Sequence, residues 1–330
     1  MIGTRYVDDM SYWRIWIPGG TGGRRASGLS GSHWAREEAA TLFEMDHWGA
    51  ECHPPVPING SVPEMIRNRY GVTAQVAKAK LGVGEHHPRM WRTFYSPRPN
   101  TTYESEWTMS VQAARNLFLD MRDVFRCVEP TEGPNGDAHG HRIRELLMLA
   151  CMEVESACKS VLLANHYNGP NGDRMTTNDY VKLLEPLRLD QWELSLVMHN
   201  KFPSFKPFGG WTAVRPTESL SWYAQYNAVK HGRETAFHQA TLKALVQALG
   251  AVFVVVSAQF GPWLPPSDRE MDETSSRHSR TPWADDFESL KMLWAEDFAV
   301  VTRPEWPLAN IYVPPWCSSG TSWTAKTYWP

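Results

Sequence analysis

The segment YNAVKHGRETAFH, Tyr226 to His238, gathers one Asn, one Lys, one Arg and two His directly ahead of a long apolar run. Histidine is the side chain whose ordinary pKa suits proton transfer near neutral pH, and a well-placed one contributes about 10²–10⁴-fold to a reaction. Arginine offers a planar fork to paired oxygens, and lysine a compact point charge. On a helix, Asn227 and His231 stand four apart and share a face. Gly232 is expected to end that helix and let Arg233 fold back towards it. The set suits gripping a phosphate and moving a proton beside it. A plainer reading stands next to this one: cations gather at helix C-termini because the loose carbonyls and the macrodipole favour them there.

Two long helices must hold this segment. In HRIRELLMLACMEVESACKSVLLANHY the apolar residues recur at the i, i+3/i+4, i+7 spacing for about six turns: Ile143, Leu146, Leu147, Ala150, Cys151, Val154, Ala157, Cys158, Val161 and Leu162. Glu153 and Glu155 flank that stripe on opposite edges, about 200° apart around the helix, so only one of them can face the YNAVKH segment. That one is expected to brace Lys230 or Arg233. The run from Ala240 to Phe260 is apolar almost all round, as in a buried helix. An earlier helix, SVQAARNLFLDMRDVFRCVEP, opens on a Ser cap and stops at Pro130, with Ala113, Leu117, Met121, Val124 and Val128 on one stripe.

The two helices with YNAVKHGR between them resemble the HEPN superfamily (higher eukaryotes and prokaryotes nucleotide-binding), many of whose members are metal-independent RNases of toxin, abortive-infection and CRISPR-associated systems. The signature of the active members is Arg, four to six residues, then His, often R-N-x-x-x-H. YNAVKH keeps Asn227 and His231 at that spacing with Tyr226 in the place of Arg. RETAFH supplies Arg233 and His238, with Glu234 after the Arg. The wording RELLMLACMEVE…YNAVKH also looks like that of a widespread group of bacterial proteins. The resemblance covers about residues 139–260. It implies a small antiparallel helical bundle that acts on RNA or a nucleotide without a cofactor, completed by a second copy across a dimer interface. His231 would be the acid/base, Arg233 and Lys230 the phosphate clamp, Asn227 the orienter and His238 a substitute base. Tyr226 would lie against the substrate, with Glu153 or Glu155 in support. The other reading of the same residues is a catalytically silent bundle kept for dimerisation or partner binding.

The balance of charge permits only a local anion site. The chain has a net charge of −3, which argues against a coat of positive charge for nucleic acid. Between Lys201 and Lys243, however, six bases stand against two acids. The apolar fraction of 42% and charged fraction of 21% are those of a globular chain. The five Cys form no CxxC pair, so a reduced, cytoplasmic setting is expected. No secretory leader is legible at the N-terminus, and the apolar run near 244–258 is short for a bilayer. His47, Cys52, His53, His86 and His87 have irregular spacings, so no metal is expected. GGTGGRR lacks the Lys-Ser/Thr of a phosphate loop and reads as a flexible linker. Of the sixteen Trp, seven follow residue 262, and these are expected to pack a tail onto the bundle.

The expected architecture is mainly α. An irregular, partly helical N-terminal region (1–105) precedes the HEPN-like bundle (106–261), and a Trp- and Pro-rich tail with short strands (262–330) follows. Within the first region YWRIWIP alternates like a strand, whereas HWAREEAATLFEM and PEMIRNRYGVTAQVAKAKLG read as helices, the second with Pro63 at its start.

Overall fold

The structure is a computed structural model and describes residues 10–17, 32–45, 50–92, 101–172, 174–262, 295–315 and 322–329. Its contacts divide the chain into two compact units: residues 1–87 with 306–326, and residues 88–305 with 327–330.

The first unit is built on an antiparallel sheet of five strands. These are β1 (Ser11–Trp16), β2 (Ser32–Glu38), β3 (Thr41–Met45), β4 (Val56–Pro57) and β5 (Gln75–Lys78), in the spatial order β4-β3-β2-β1-β5. The hairpin of β2 and β3 turns on Ala39 and Ala40, both left-handed at φ +48° and +57°. That conformation matches the two-residue turns that follow strand twist, although Gly or Asn is its usual occupant. Helix α1 (Val62–Tyr70) starts at Ser61, whose hydroxyl accepts the Glu64 N–H while the Glu64 carboxylate reaches back to the Ser61 N–H. It stops at Gly71, where φ is +101°.

Strand alternation gives the sheet two different faces. Ile15, Ala35 and Leu42 pack with Val62 and Ile66 of α1. On the other face Tyr12, Trp34 and Met45 pack with Trp306, Ile311 and Val313. The α1 face also buries charge. The Glu44 carboxylate, 2% exposed as a residue, lies 3.3 Å from His33 Nε2, accepts the Tyr70 hydroxyl at 2.5 Å and pairs with Arg69. Burial pushes the Glu44 carboxyl up, but the bonds from His33 and Tyr70 and the Arg69 charge outweigh it and leave it below the usual carboxylate range. Burial lowers the His33 imidazole, and Glu44 offsets this only in part. Behind the sheet, the buried Arg14 guanidinium lies 4.4 Å from the ring centroid of Trp34, its cross-strand partner.

The second unit is organised around four long helices. α2 (Glu104–Phe125), α3 (His141–Ala164) and, after short helices α4 (Thr177–Tyr180) and α5 (Leu184–Leu187) and strand β7 (Glu193–Leu196), α6 (Ser221–His231) all pack against α8 (Leu242–Phe260). A four-residue helix, α7 (Arg233–Ala236), joins α6 to α8. The buried stripe of α2 runs through Val111, Ala114, Leu117, Met121 and Val124, one position past the expected Ala113. α8 is long and apolar enough to cross a membrane, yet 89% of its 18-residue apolar window is buried by its neighbours, as in a core helix. Gly250 makes this packing possible: a Cβ there would stand 2.6 Å from the Phe205 ring. Strand β8 (Phe298–Thr302) pairs antiparallel with β7, and Phe298 contacts the rings of Phe118, Phe205 and Phe253. Beyond it, β9 (Thr324–Ala325) returns to the sheet unit, parallel to β6 (Glu85–His86).

These strands overturn the expected fold class. The chain is mixed α/β, not a mainly α HEPN-like bundle with an irregular N-terminal region and a small β-containing tail. The reading of HWAREEAATLFEM as a helix fails because His33, Ala35 and Glu44 alternate onto one buried face of a hairpin, and a buried His and Glu disguise the apolar pattern. PEMIRNRYGVTAQVAKAKLG is likewise a nine-residue helix followed by a strand. The late Trp residues do not act as one group. Trp306 fills the sheet core and Trp323 contacts His86, while Trp329 contacts Tyr167 of the helical unit. Trp263, Trp283, Trp294 and Trp316 lie outside the described residues, as do GGTGGRR and His47.

Candidate functional site

α6 presents its apolar and aromatic side, Trp222, Tyr226 and Val229, to the core. Its polar side runs out at Gly232, whose N–H bonds the Ala228 carbonyl at 2.8 Å. A Cβ on Gly232 would meet Thr235 Oγ1 at 3.1 Å, so a glycine suits the tight step into α7. Helices α6, α7 and α8 thus follow one another with little connecting chain, and the segment Tyr226–His238 wraps one end of the bundle.

Half of the segment points inward. Tyr226 is 1% exposed, and its hydroxyl accepts from Lys230 Nζ at 3.1 Å. The same Nζ lies 5.1 Å from the ring centroid, an i, i+4 arrangement on α6. Glu155 of α3 accepts the Tyr223 hydroxyl at 2.7 Å, and the Tyr223 and Tyr226 rings meet edge-on at 5.3 Å. Burial first, and then the Glu155 charge, raise the Tyr223 and Tyr226 phenols well above their ordinary value, and Tyr180 close by is pushed up to about 12. Burial pushes the Cys158 thiol up to about 12 and raises Cys151 as well. Tyr223, Tyr226 and Glu155 form a structural brace that couples α3 to α6.

The other half points outward. His231 and His238 are exposed and Asn227 is half-buried, and among the described residues none of the three side chains makes a hydrogen bond. Arg233 opens α7, and its side chain lies outside the described residues. Glu153 does not face the segment. It sits on the far edge of α3, in a recess with Arg89, Val252 and Val256. The structure therefore brings Glu155, Tyr226 and Lys230 together, and it leaves His231, His238 and Glu153 apart from them.

The end of the bundle carries further groups that the sequence did not single out. The backbone N–H of Leu242 bonds Ala138 O at 2.8 Å and that of Lys243 bonds Gly136 O at 2.9 Å, which ties the start of α8 to the approach to α3. His139 and His141 consequently contact the Phe237 ring, with centroids 5.9 and 4.8 Å away. Neither α3 nor α8 has an acid in its first turn. Two long helices thus direct their N-termini, with partial positive charge, at an end already bearing His139, His141, His238 and Lys243. Runs of His beside Gly in DAHGHR are the signal that sequence inspection could have used. Tyr223 could have been found as well, three residues before Tyr226 on the same helix face.

No group of three or more His, Cys, Asp or Glu among the described residues could hold a metal ion. No family model, curated protein or solved structure matches the chain at a significant level.

Proposed function

We propose that the helical unit is an RNA- or nucleotide-directed module that contacts phosphates at the end of the bundle where α6, α7 and the N-termini of α3 and α8 converge. The reading draws on the likeness of YNAVKH to the HEPN signature, and one observation carries it: His231 and His238 stay exposed at the junction while His139, His141 and two acid-free helix N-termini are drawn to that same end. Backbone N–H groups and the macrodipole favour a phosphate there. Lys230 and Arg233 add charge. His231 is the proton-transfer group for attack of a ribose 2′-OH on the adjacent phosphorus, and His238 is the second such group. Bond formation at phosphorus releases the 5′-oxygen, which takes a proton and leaves a cyclic phosphate. As the likeness to the HEPN superfamily implies, a second copy of the chain would complete the site around the exposed His231, and the module would work as a homodimer in a bacterial defence or toxin-type setting.

A second reading, a silent interaction module, gains support from the inward half of the segment, where Tyr226 and Glu155 serve the packing of α3 and α6. One assay separates the two. Purified protein is incubated with single-stranded RNA and a chelator, and cleavage is followed alongside binding. The expected result is cleavage by wild type that falls at least about a hundredfold in His231→Ala, with weaker RNA binding in Lys243→Ala. Binding without cleavage in wild type would favour the silent module with an RNA partner. Absence of both would overturn the proposal.

A further inference from the structure

Away from that junction, α2, α3 and α8 enclose a small recess whose lining mixes opposite charges with hydroxyls. We propose that this recess binds a small zwitterion, a free α-amino acid with a short side chain. Arg89 lines one part of it. This residue is 7% exposed and adopts a left-handed backbone (φ +53°), and its Nε donates to Gln259 Oε1 at 2.8 Å. A buried guanidinium held in this way offers a fixed positive wall to a carboxylate. Glu153 lines the recess from α3. Among the described residues its carboxyl has no hydrogen-bond or ion-pair partner, although it is half-buried. Burial alone raises its pKa, the condition of a carboxyl that would gain from a cation. Ser156 and Ser160 lie on the same helix one turn apart, and both hydroxyls line the recess without a partner among the described residues. Val252 and Val256 of α8 form an apolar floor for a methyl or hydroxymethyl group.

The arrangement discriminates among simpler ions. A lone anion would meet Glu153, and a lone cation would meet Arg89, so either would face one like charge. A molecule carrying both charges satisfies both walls at once, and the two serines complete the hydrogen bonds of its ammonium.

The test is titration of the full chain with glycine, L-alanine and L-serine, followed by ligand-observed NMR and calorimetry, with acetate and methylamine as the separated halves. The expected result is saturable binding of the amino acids at millimolar concentration, with acetate and methylamine at least about tenfold weaker. Glu153→Gln is expected to weaken the amino acids by at least about tenfold with an unchanged circular dichroism spectrum. Should that variant fail to fold, Ser156→Leu, at an exposed position on the rim, is expected to block binding by bulk. No binding of any amino acid would overturn the assignment. Acetate or methylamine binding as tightly as the zwitterions would do so too, as would amino-acid binding indifferent to a folded Glu153→Gln or Ser156→Leu protein. None of these outcomes depends on RNA binding at the other site.

Discussion

The two units handle buried polarity in opposite ways. In the sheet unit an ionised carboxylate, Glu44, sits between sheet and helix and is surrounded by His33, Tyr70 and Arg69. In the helical unit the buried polar groups meet uncharged partners instead: the Arg89 guanidinium donates to Gln259 of α8, and the polar bonds of Glu155 and Lys230 go to phenols. The contrast teaches where each unit is vulnerable. Removing one member of a buried charged set strands the others, whereas removing a hydroxyl from a marginal bond costs only that bond.

The strongest challenge to this comparison is Glu44→Ala. It leaves Arg69 without its partner and His33 and Tyr70 facing an apolar gap, with an expected loss of about 3 kcal/mol from the sheet unit. Urea unfolding followed through tryptophan fluorescence measures it, and a loss below about 1 kcal/mol would show that the set is solvated instead of buried.

Acid should sharpen the same distinction. His33 and Glu44 both have pKa values lowered by folding, so the unfolded chain binds more protons than the folded one as pH falls. The stability they contribute is fully present above the ordinary histidine value of 6.5. His33's share declines below that pH, and Glu44's share follows below the ordinary 4.5. Urea midpoints of the two units, read from pH 7.5 down to pH 4 by hydrogen exchange on strands and helices separately, should fall earlier for β1–β3 than for α3 and α8. Parallel curves for strands and helices would remove the distinction.

The smallest expected effect belongs to the helical brace. Tyr223→Phe deletes one hydroxyl bond to Glu155 and should cost about 1 kcal/mol, measured by the thermal midpoint of the helical signal. A cost as large as that of Glu44→Ala would mean that the brace, too, is a buried charged network.

Legibility in the sequence followed the same divide. The long helices α3 and α8 are plain from spacing because their buried residues are apolar, and α3 even shows which edge each glutamate occupies. Tyr226 and Lys230, four apart, are readable as neighbours before any tertiary contact is known. The hairpin of β2 and β3 was hidden because its turn uses Ala39 and Ala40 where glycine or asparagine would announce it. Buried His33 and Glu44 further mimic the polar face of a helix. The pairing of Glu155 with Tyr223, and of His139 and His141 with Phe237, joins residues brought together only by tertiary packing, and local spacing carries no trace of it.

One face of the sheet is finished by Trp306, Ile311 and Val313. During translation, Tyr12, Trp34 and Met45 therefore leave the ribosome long before the side chains that cover them, a delay on the order of tens of seconds at about 5–20 residues per second. In that interval the first-made strands present an uncovered greasy surface to solvent or to a chaperone, while the helices encoded between them can already assemble. Maturation of the nascent polypeptide thus runs from the middle outward, and the earliest-born part is the last to close.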